Sequence, residues 1–510
     1  MPWIRPLSRA VTRPLSILVL VAWAATMTAL VYESYVRSRA VLAADLARYG
    51  SGAQWRGVYY RGAKVGFTVS QAVPVEGGYE LQEDGQLEMT LLGAASMARI
   101  RTTALVDEAF GLRAFTFSLD PGTGAVEVAG TVEGTRLAVT VTTTAGIRHE
   151  TIDLEEPPAL ALNLGRRLAD GRLVPGSTRT WAVFDPATLR NAPVVVTVGE
   201  REVVRAGDRR IPAFRVQMES AGLRTTSWIT DTGEIVREES PLGLMTIRES
   251  PETATAMAVA GRTRDDMLAA SAVVPTMRGQ IDDPRDVQRI RLRLSGADVP
   301  RADLEGVGQR LVGDEIEILA PSTLRAGPSE PDVARYLQPE PFIESDAPEI
   351  RAEAQLALGA TTDPRLGAEA LVRYVNGLLE KKPTISLPSA REVLRTRIGD
   401  CNEHTALYVA MARAAGIPAR IAVGLVYVSG AFYYHAWPEV YLAESDTRGL
   451  WLPVDPTLNQ FPADGTHLRL VRGGLDQQAA ILPLIGQLRM TVTDLQVTPG
   501  TGRVTVGGGS

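Results

Sequence analysis

The chain has 510 residues, a net charge of −6 from 53 basic and 59 acidic side chains, and 45% hydrophobic residues. That length leaves room for about three domains with a substantial core. The mild acidic balance, with no polybasic stretch, argues against a nucleic acid partner. Cys401 is the only cysteine, so no intramolecular disulfide can form and the compartment must be read from other features.

Leu15 to Tyr32 is a largely apolar run of 18 residues, which as a helix spans about 27 Å against a hydrocarbon core of about 30 Å. Arg5, Arg9 and Arg13 precede it and Glu33 follows. The positive-inside bias therefore predicts a cytoplasmic segment at 1–14, a transmembrane anchor at 15–33 and everything beyond it extracytoplasmic, in a periplasm or outside the cell. A cleaved signal peptide is the rival reading, with Ala22 and Ala24 as small residues near a cut. The run continues through Met27, Leu30 and Val31, which favours an uncleaved, single-pass anchor. Residues 34–50 read as a helical stalk, with Val41, Leu42, Leu46 and Tyr49 at helical spacing.

From 51 to 250 the chain changes to short alternating runs separated by glycine and polar turns, such as Thr135 to Thr143 with Leu137, Val139 and Val141 alternating. This pattern predicts an antiparallel β-rich domain, interrupted by a helix near Leu160 to Leu168 and including a hairpin that turns at Asp231-Thr232-Gly233. Its apolar-lined cradle is either a ligand site or a structural spacer. Residues 251–348 are mixed: a helix at Arg264 to Ser271, a strand at Val287 to Leu294, and a linker over 321–348 that carries six prolines. Helices return at Glu349 to Leu358 and Arg365 to Leu379, opening a domain over 349–475. Residues 476–510 hold one closing strand at Leu488 to Val497 and a flexible tail from Gly500.

The chemistry concentrates between Ile398 and Asp455. Cys401 falls in the first turn of a predicted helix, capped by Asn402 or Asp400 and ended by Gly416 and Pro418. The helix dipole there favours thiolate over thiol. A strand from Arg420 to Val428, a second from Phe432 to Leu442 carrying His435, and a third from Leu450 to Val454 ending at Asp455 follow. A thiol, an imidazole and a carboxylate in this arrangement can assemble a Cys-His-Asp triad. His404 makes a Cys-x-x-His pair with Cys401 that would suit zinc, but a site needs two more ligands, the remaining histidines, His149 and His467, are distant in sequence, and no second cysteine exists. No metal and no cofactor is expected, and His404 is read as a polar flank of the cleft. Glu403 and Glu439 read as solvated or paired.

Four blocks in order carry a family likeness: Gly399-Asp400-Cys401; Arg413-Ala414-Ala415-Gly416-Ile417-Pro418-Ala419-Arg420; His435-Ala436-Trp437-Pro438-Glu439-Val440; and Trp451-Leu452-Pro453-Val454-Asp455-Pro456-Thr457. With these the last third of the chain resembles the transglutaminase-like cysteine enzymes, whose relatives include bacterial peptidases and peptide N-glycanases. The resemblance implies an α+β, papain-like catalytic domain. It also implies Cys401 as nucleophile, His435 as general base and acid, and Asp455 as the orienting carboxylate. Crosslinking members use a tryptophan upstream of the cysteine to hold the oxyanion, whereas here none lies between Trp228 and Trp437. The Cys401 N–H would then serve with another donor, for which Asn376 and Tyr374 are candidates by chemistry.

The expected activity is hydrolysis of, or acyl transfer from, a peptide or protein amide through a thioester. Two alternatives remain open at this point: a non-catalytic envelope peptide-binding module, and a true protein-crosslinking enzyme. Substrate identity and oligomeric state are not legible in the sequence.

Overall fold

The computed structural model describes residues 46–498, apart from residues 92–93, 221–222, 241–242, 257–271, 298, 300–302, 384, 475–480, 482–483 and 485. The predicted anchor at 15–33, most of the stalk, the helix at Arg264 to Ser271 and the tail from Gly500 lie outside the described residues. Among the described residues no helix is long and apolar enough to cross a membrane. The fold is mostly antiparallel β with few helices.

The first part is a sheet of 14 strands made of two meanders. One runs from Gln54–Tyr60 to Gly146–Asp153, the other from Thr178–Asp185 to Leu244–Arg248. They join where the first strand pairs with the last, in register from Arg56↔Arg248 to Tyr60↔Leu244. Alternation sets the faces, as predicted: Leu137, Val139 and Val141 are buried while Arg136 and Ala138 are exposed. The helix Ala161–Asp170 connects the meanders and packs Leu164 and Leu168 against Val196, Val216 and Ile229.

A four-stranded sheet follows, in the order Gln309–Val312, Glu315–Leu319, Val287–Ser295 and Arg489–Val497, so the carboxyl-terminal strand closes a layer begun some 200 residues earlier. A five-stranded sheet then carries the strands Ala419–Val428, Ala431–Ser445, Arg448–Pro453 and Leu468–Arg472. The cysteine helix, Cys401–Ala414, and Pro364–Leu378 pack against it, and Pro348–Leu358 and Ala390–Thr396 pack against the cysteine helix. Asp363 starts the second of these by accepting from the Arg365 and Leu366 N–H groups, with Pro364 in the first turn where a missing donor costs nothing.

The stretch 321–348, expected as a linker, is instead built into the core. Gly327-Pro328 pairs with Arg448–Pro453 as an edge strand, and Ala326, Ile343 and Ala347 are buried among the helices. Phe342 is buried in the core of the large sheet. Prolines remove backbone donors but do not stop apolar neighbours from being buried, and burial decided the outcome.

Candidate functional site

The cysteine helix begins with a reciprocal cap. Asp400 Oδ1 accepts the Asn402 N–H at 3.0 Å, and the Glu403 carboxylate accepts the Asp400 N–H at 2.8 Å. The cap is therefore Asp400, one of the two residues expected. Gly399 permits it, because a Cβ there would sit 2.2 Å from the Glu403 Cβ. Glu403 is buried and also accepts from the Ser386 hydroxyl; burial and the Asp400 charge hold its carboxyl well above the usual range. Of the two readings for Glu403, solvated or paired, the structure gives the second: the carboxylate is buried and hydrogen-bonded.

The helix docks against an open strand edge. Residues 433–437 of the strand Ala431–Ser445 pair with Ala419–Val428 on one side only, since pairing to Arg448–Pro453 begins at Glu439. Ala436 turns its carbonyl toward the helix, where it accepts from the Thr405 hydroxyl at 3.0 Å, and its N–H acts on the Cys401 thiol to favour the charged form.

Next to Ala436, the His435 imidazole places Nε2 2.8 Å from Asp455 Oδ2, with both residues buried. The other oxygen of Asp455 accepts the Leu458 N–H at 2.9 Å. Burial opposes ionisation of Asp455, but His435 and His467 outweigh it and hold the carboxyl far below the usual range. Of the three predicted residues, the structure joins His435 and Asp455 directly and brings Cys401 to the neighbouring backbone. Among the described residues no hydrogen bond joins the thiol to His435.

The expectation of a thiolate is corrected. Cys401 is only partly exposed. Burial, then Asp400, push the thiol well above its ordinary value; the Ala436 N–H pulls the other way and loses. A helix N-terminus favours an anion, yet here the cap that makes the terminus is itself a carboxylate.

Asp455 has a second partner that the sequence reading set aside as distant. His467 Nε2 lies 3.1 Å from Asp455 Oδ2, and its Nδ1 lies 3.2 Å from both the carbonyl oxygen and Oδ1 of Asp464. Acceptors on both sides require protons on both nitrogens. Burial opposes that charge, but Asp464 and Asp455 raise the imidazolium to about 10. The Asp-x-x-His spacing of 464 and 467, just beyond Asp455, was the only local signal. Gly424 makes room: a Cβ there would meet the Leu468 carbonyl oxygen at 1.9 Å.

Ligating atoms of His435, Asp455 and His467 lie within 4.8 Å of one another, a grouping able to surround a cation. The doubly protonated ring of His467 already supplies a positive charge there. Among the described residues no such grouping includes Cys401 or His404. His404 is buried rather than flanking the cleft; its Nδ1 faces the Asp400 carbonyl at 2.7 Å, and its Nε2 has no hydrogen-bond partner among the described residues.

The two proposed oxyanion donors are occupied elsewhere. Asn376 Nδ2 donates to the carbonyls of Pro456 at 2.8 Å and Thr457 at 3.1 Å, bracing the turn after Asp455. The Tyr374 hydroxyl donates to Glu353. Farther along the histidine strand, buried Glu439 meets Arg420 at 2.7 Å, Arg469 at 2.8 Å and Arg472 at 3.3 Å; burial works against its charge, but the three guanidinium groups lower its carboxyl to about 2.

The sequence model of the Transglutaminase-like superfamily matches residues 353–456, a segment holding Cys401, His435 and Asp455. This part of the chain is a transglutaminase-like domain. A structure described as a candidate cysteine protease from Cytophaga hutchinsonii is 15% identical, with a TM-score of 0.27 over 43% of this chain and 89% of its own. A beta-barrel-like protein of a domain of unknown function from Brucella abortus is 14% identical, with a TM-score of 0.30 over 39% of this chain and 96% of its own. No curated protein matches the chain.

Proposed function

We propose that the chain is a cysteine hydrolase or acyltransferase acting on peptide or protein amides, with hydrolysis as the main reaction. The observation that carries this reading is the His435 imidazole, held through Nε2 by Asp455 at 2.8 Å, on the strand residue next to Ala436, whose carbonyl bonds Thr405 of the cysteine helix. That use of Nε2 leaves Nδ1 as the nitrogen able to take the thiol proton. Cys401 then attacks the amide carbon as its proton passes to His435. His435 returns that proton to the departing amine, and a thioester remains. Water, losing its proton to His435, attacks the thioester and releases the acid and the thiol. The Cys401 N–H, in the first helical turn, is a suitable donor to the oxyanion.

The lack, among the described residues, of a hydrogen bond between the thiol and His435 favours a second reading, a non-catalytic peptide-binding module in the same cleft. Turnover separates the two. Purified protein incubated with a library of peptide amides should cleave a subset, and Cys401→Ala, His435→Ala and Asp455→Asn should each lose that cleavage while still folding. Cleavage that persists in Cys401→Ala would sink the proposal. Incorporation of a labelled amine into glutamine-bearing proteins, in place of cleavage, would assign crosslinking. Anchoring through 15–33, with the catalytic part extracytoplasmic, belongs to the same proposal; fractionation and protease accessibility of intact cells test it.

A further inference from the structure

A cavity of about 590 Å³ lies between the helix Ala161–Asp170 and strands of both meanders. Its size falls in the range of about 300–1,000 Å³ that encloses small organic ligands. Leu81, Leu164, Val194, Met218, Ile229 and Ile235 supply an apolar wall.

The charged groups on that wall are unequally satisfied. Glu83 is paired with Arg56 at 2.5 Å, and Glu234 accepts from Gln54 and Arg248 at 3.3 Å each. Glu238 accepts from the Ser227 hydroxyl at 2.7 Å, and Asp185 accepts from the Ala187 N–H at 3.0 Å and the Thr188 hydroxyl at 2.9 Å. Arg166, half-buried on the same wall, has no hydrogen-bond or ion-pair partner among the described residues. A hydrocarbon-lined space with one uncommitted guanidinium matches a molecule that is apolar along its length and anionic at one point.

The cavity also adjoins the catalytic part. Thr188 and Arg190 line it and line the smaller cleft whose other walls include Asn402, Thr405 and Ala436. Leu189 between them is buried in the core of the large sheet, which anchors this loop between the two spaces.

We propose that the cavity is the chain-binding subsite for the substrate: it holds an amphiphile with a hydrocarbon chain and an anionic group, the anion against Arg166. An amide carried by that amphiphile then reaches Cys401 past Thr188 and Arg190. The binding claim stands on the cavity alone, whereas the delivery claim rests on the cysteine chemistry proposed above.

Binding is measured first, with cis-parinarate as a fluorescent fatty-acid probe on the Cys401→Ala protein, where no turnover intervenes. Saturable binding is expected. Arg166→Gln should weaken it about tenfold, near the value of one charge-assisted contact, and leave the uncharged methyl ester unaffected. Met218→Trp, filling the cavity, should weaken both probes; Leu223→Trp serves if that variant fails to fold. No saturable binding, or equal affinity in all variants, overturns the inference and leaves the cysteine chemistry standing. The second measurement is cleavage of N-dodecanoyl-glutamate by the protein with Cys401 intact, where Met218→Trp should raise KM and leave kcat nearly unchanged. Intact binding with no cleavage of any amide overturns the hydrolase reading and the delivery claim, and leaves the cavity as a lipid-binding site. Cleavage whose KM is indifferent to Met218→Trp overturns delivery alone.

Discussion

His467 reaches the same oxygen of Asp455 that binds His435, at 3.1 Å against 2.8 Å. One carboxylate thus serves two imidazoles, and only the second is fixed as a cation by a further acid, Asp464. Replacing His467 by Gln removes the charge that lets Asp455 and Asp464 be buried together. Breaking a buried pair of this kind costs about 3–5 kcal/mol, and urea unfolding should register that loss. The sign with pH follows from the raised value. The stabilisation is complete below the ordinary imidazole range and is lost as pH rises toward about 10. Thermal unfolding should therefore show a falling midpoint between about pH 6.5 and 10, and the slope should flatten in His467→Gln.

A resting thiol rather than a thiolate makes a prediction about labelling. Since burial and Asp400 push Cys401 up, iodoacetamide should react slowly at neutral pH, with a rate that climbs only above the free-thiol value of about 8.5. Asp400→Asn should speed neutral-pH labelling, because it removes the nearest opposing charge while keeping a helix cap. Rapid, pH-flat labelling of the unmodified protein would contradict the account. Alkylation rate alone does not distinguish an enzyme from a binding module here, since both rest with a protonated sulfur.

Glu439 is the centre of a buried cluster with Arg420, Arg469 and Arg472. Its carboxyl is lowered to about 2, so its contribution is present above the usual Glu range and is lost as pH falls through about 2. Glu439→Gln should destabilise by about 3–5 kcal/mol, because three guanidinium groups then face one another without a counter-charge. The acid limb of the stability curve should become shallower in that variant, as measured by denaturant unfolding between pH 5 and 2.

Asn376 holds the turn that carries Asp455 through two carbonyl bonds. Asn376→Ala should cost about 1–2 kcal/mol in stability, at roughly 1 kcal/mol per bond. If the turn sets the aim of Asp455 toward His435, kcat should fall more than KM rises. Asn376→Asp, which replaces the donor with a charge facing carbonyls, should be worse than Ala. An Ala variant with unchanged kcat would show that Leu458, Gln460 and His467 hold Asp455 without Asn376.

Much of this protein was written in local patterns. Alternation over 51–250 announced an antiparallel sheet, since side chains on a strand alternate faces whatever the strand's partner is. The four blocks around Cys401, His435 and Asp455 announced the transglutaminase-like domain, because a helix start and two strand positions are local properties. What no local pattern carried was anything set by an approach in space. The prolines of 321–348 signalled a linker, yet burial of Ala326, Phe342 and Ile343 folded that stretch into two cores. His467 looked remote from Cys401, but Gly424 lets its strand come close enough for it to share Asp455. The charge state of the sulfur was likewise undecided: a helix dipole is legible in sequence, whereas desolvation and the nearness of Asp400, Glu403 and Asp455 exist only once the chain is packed.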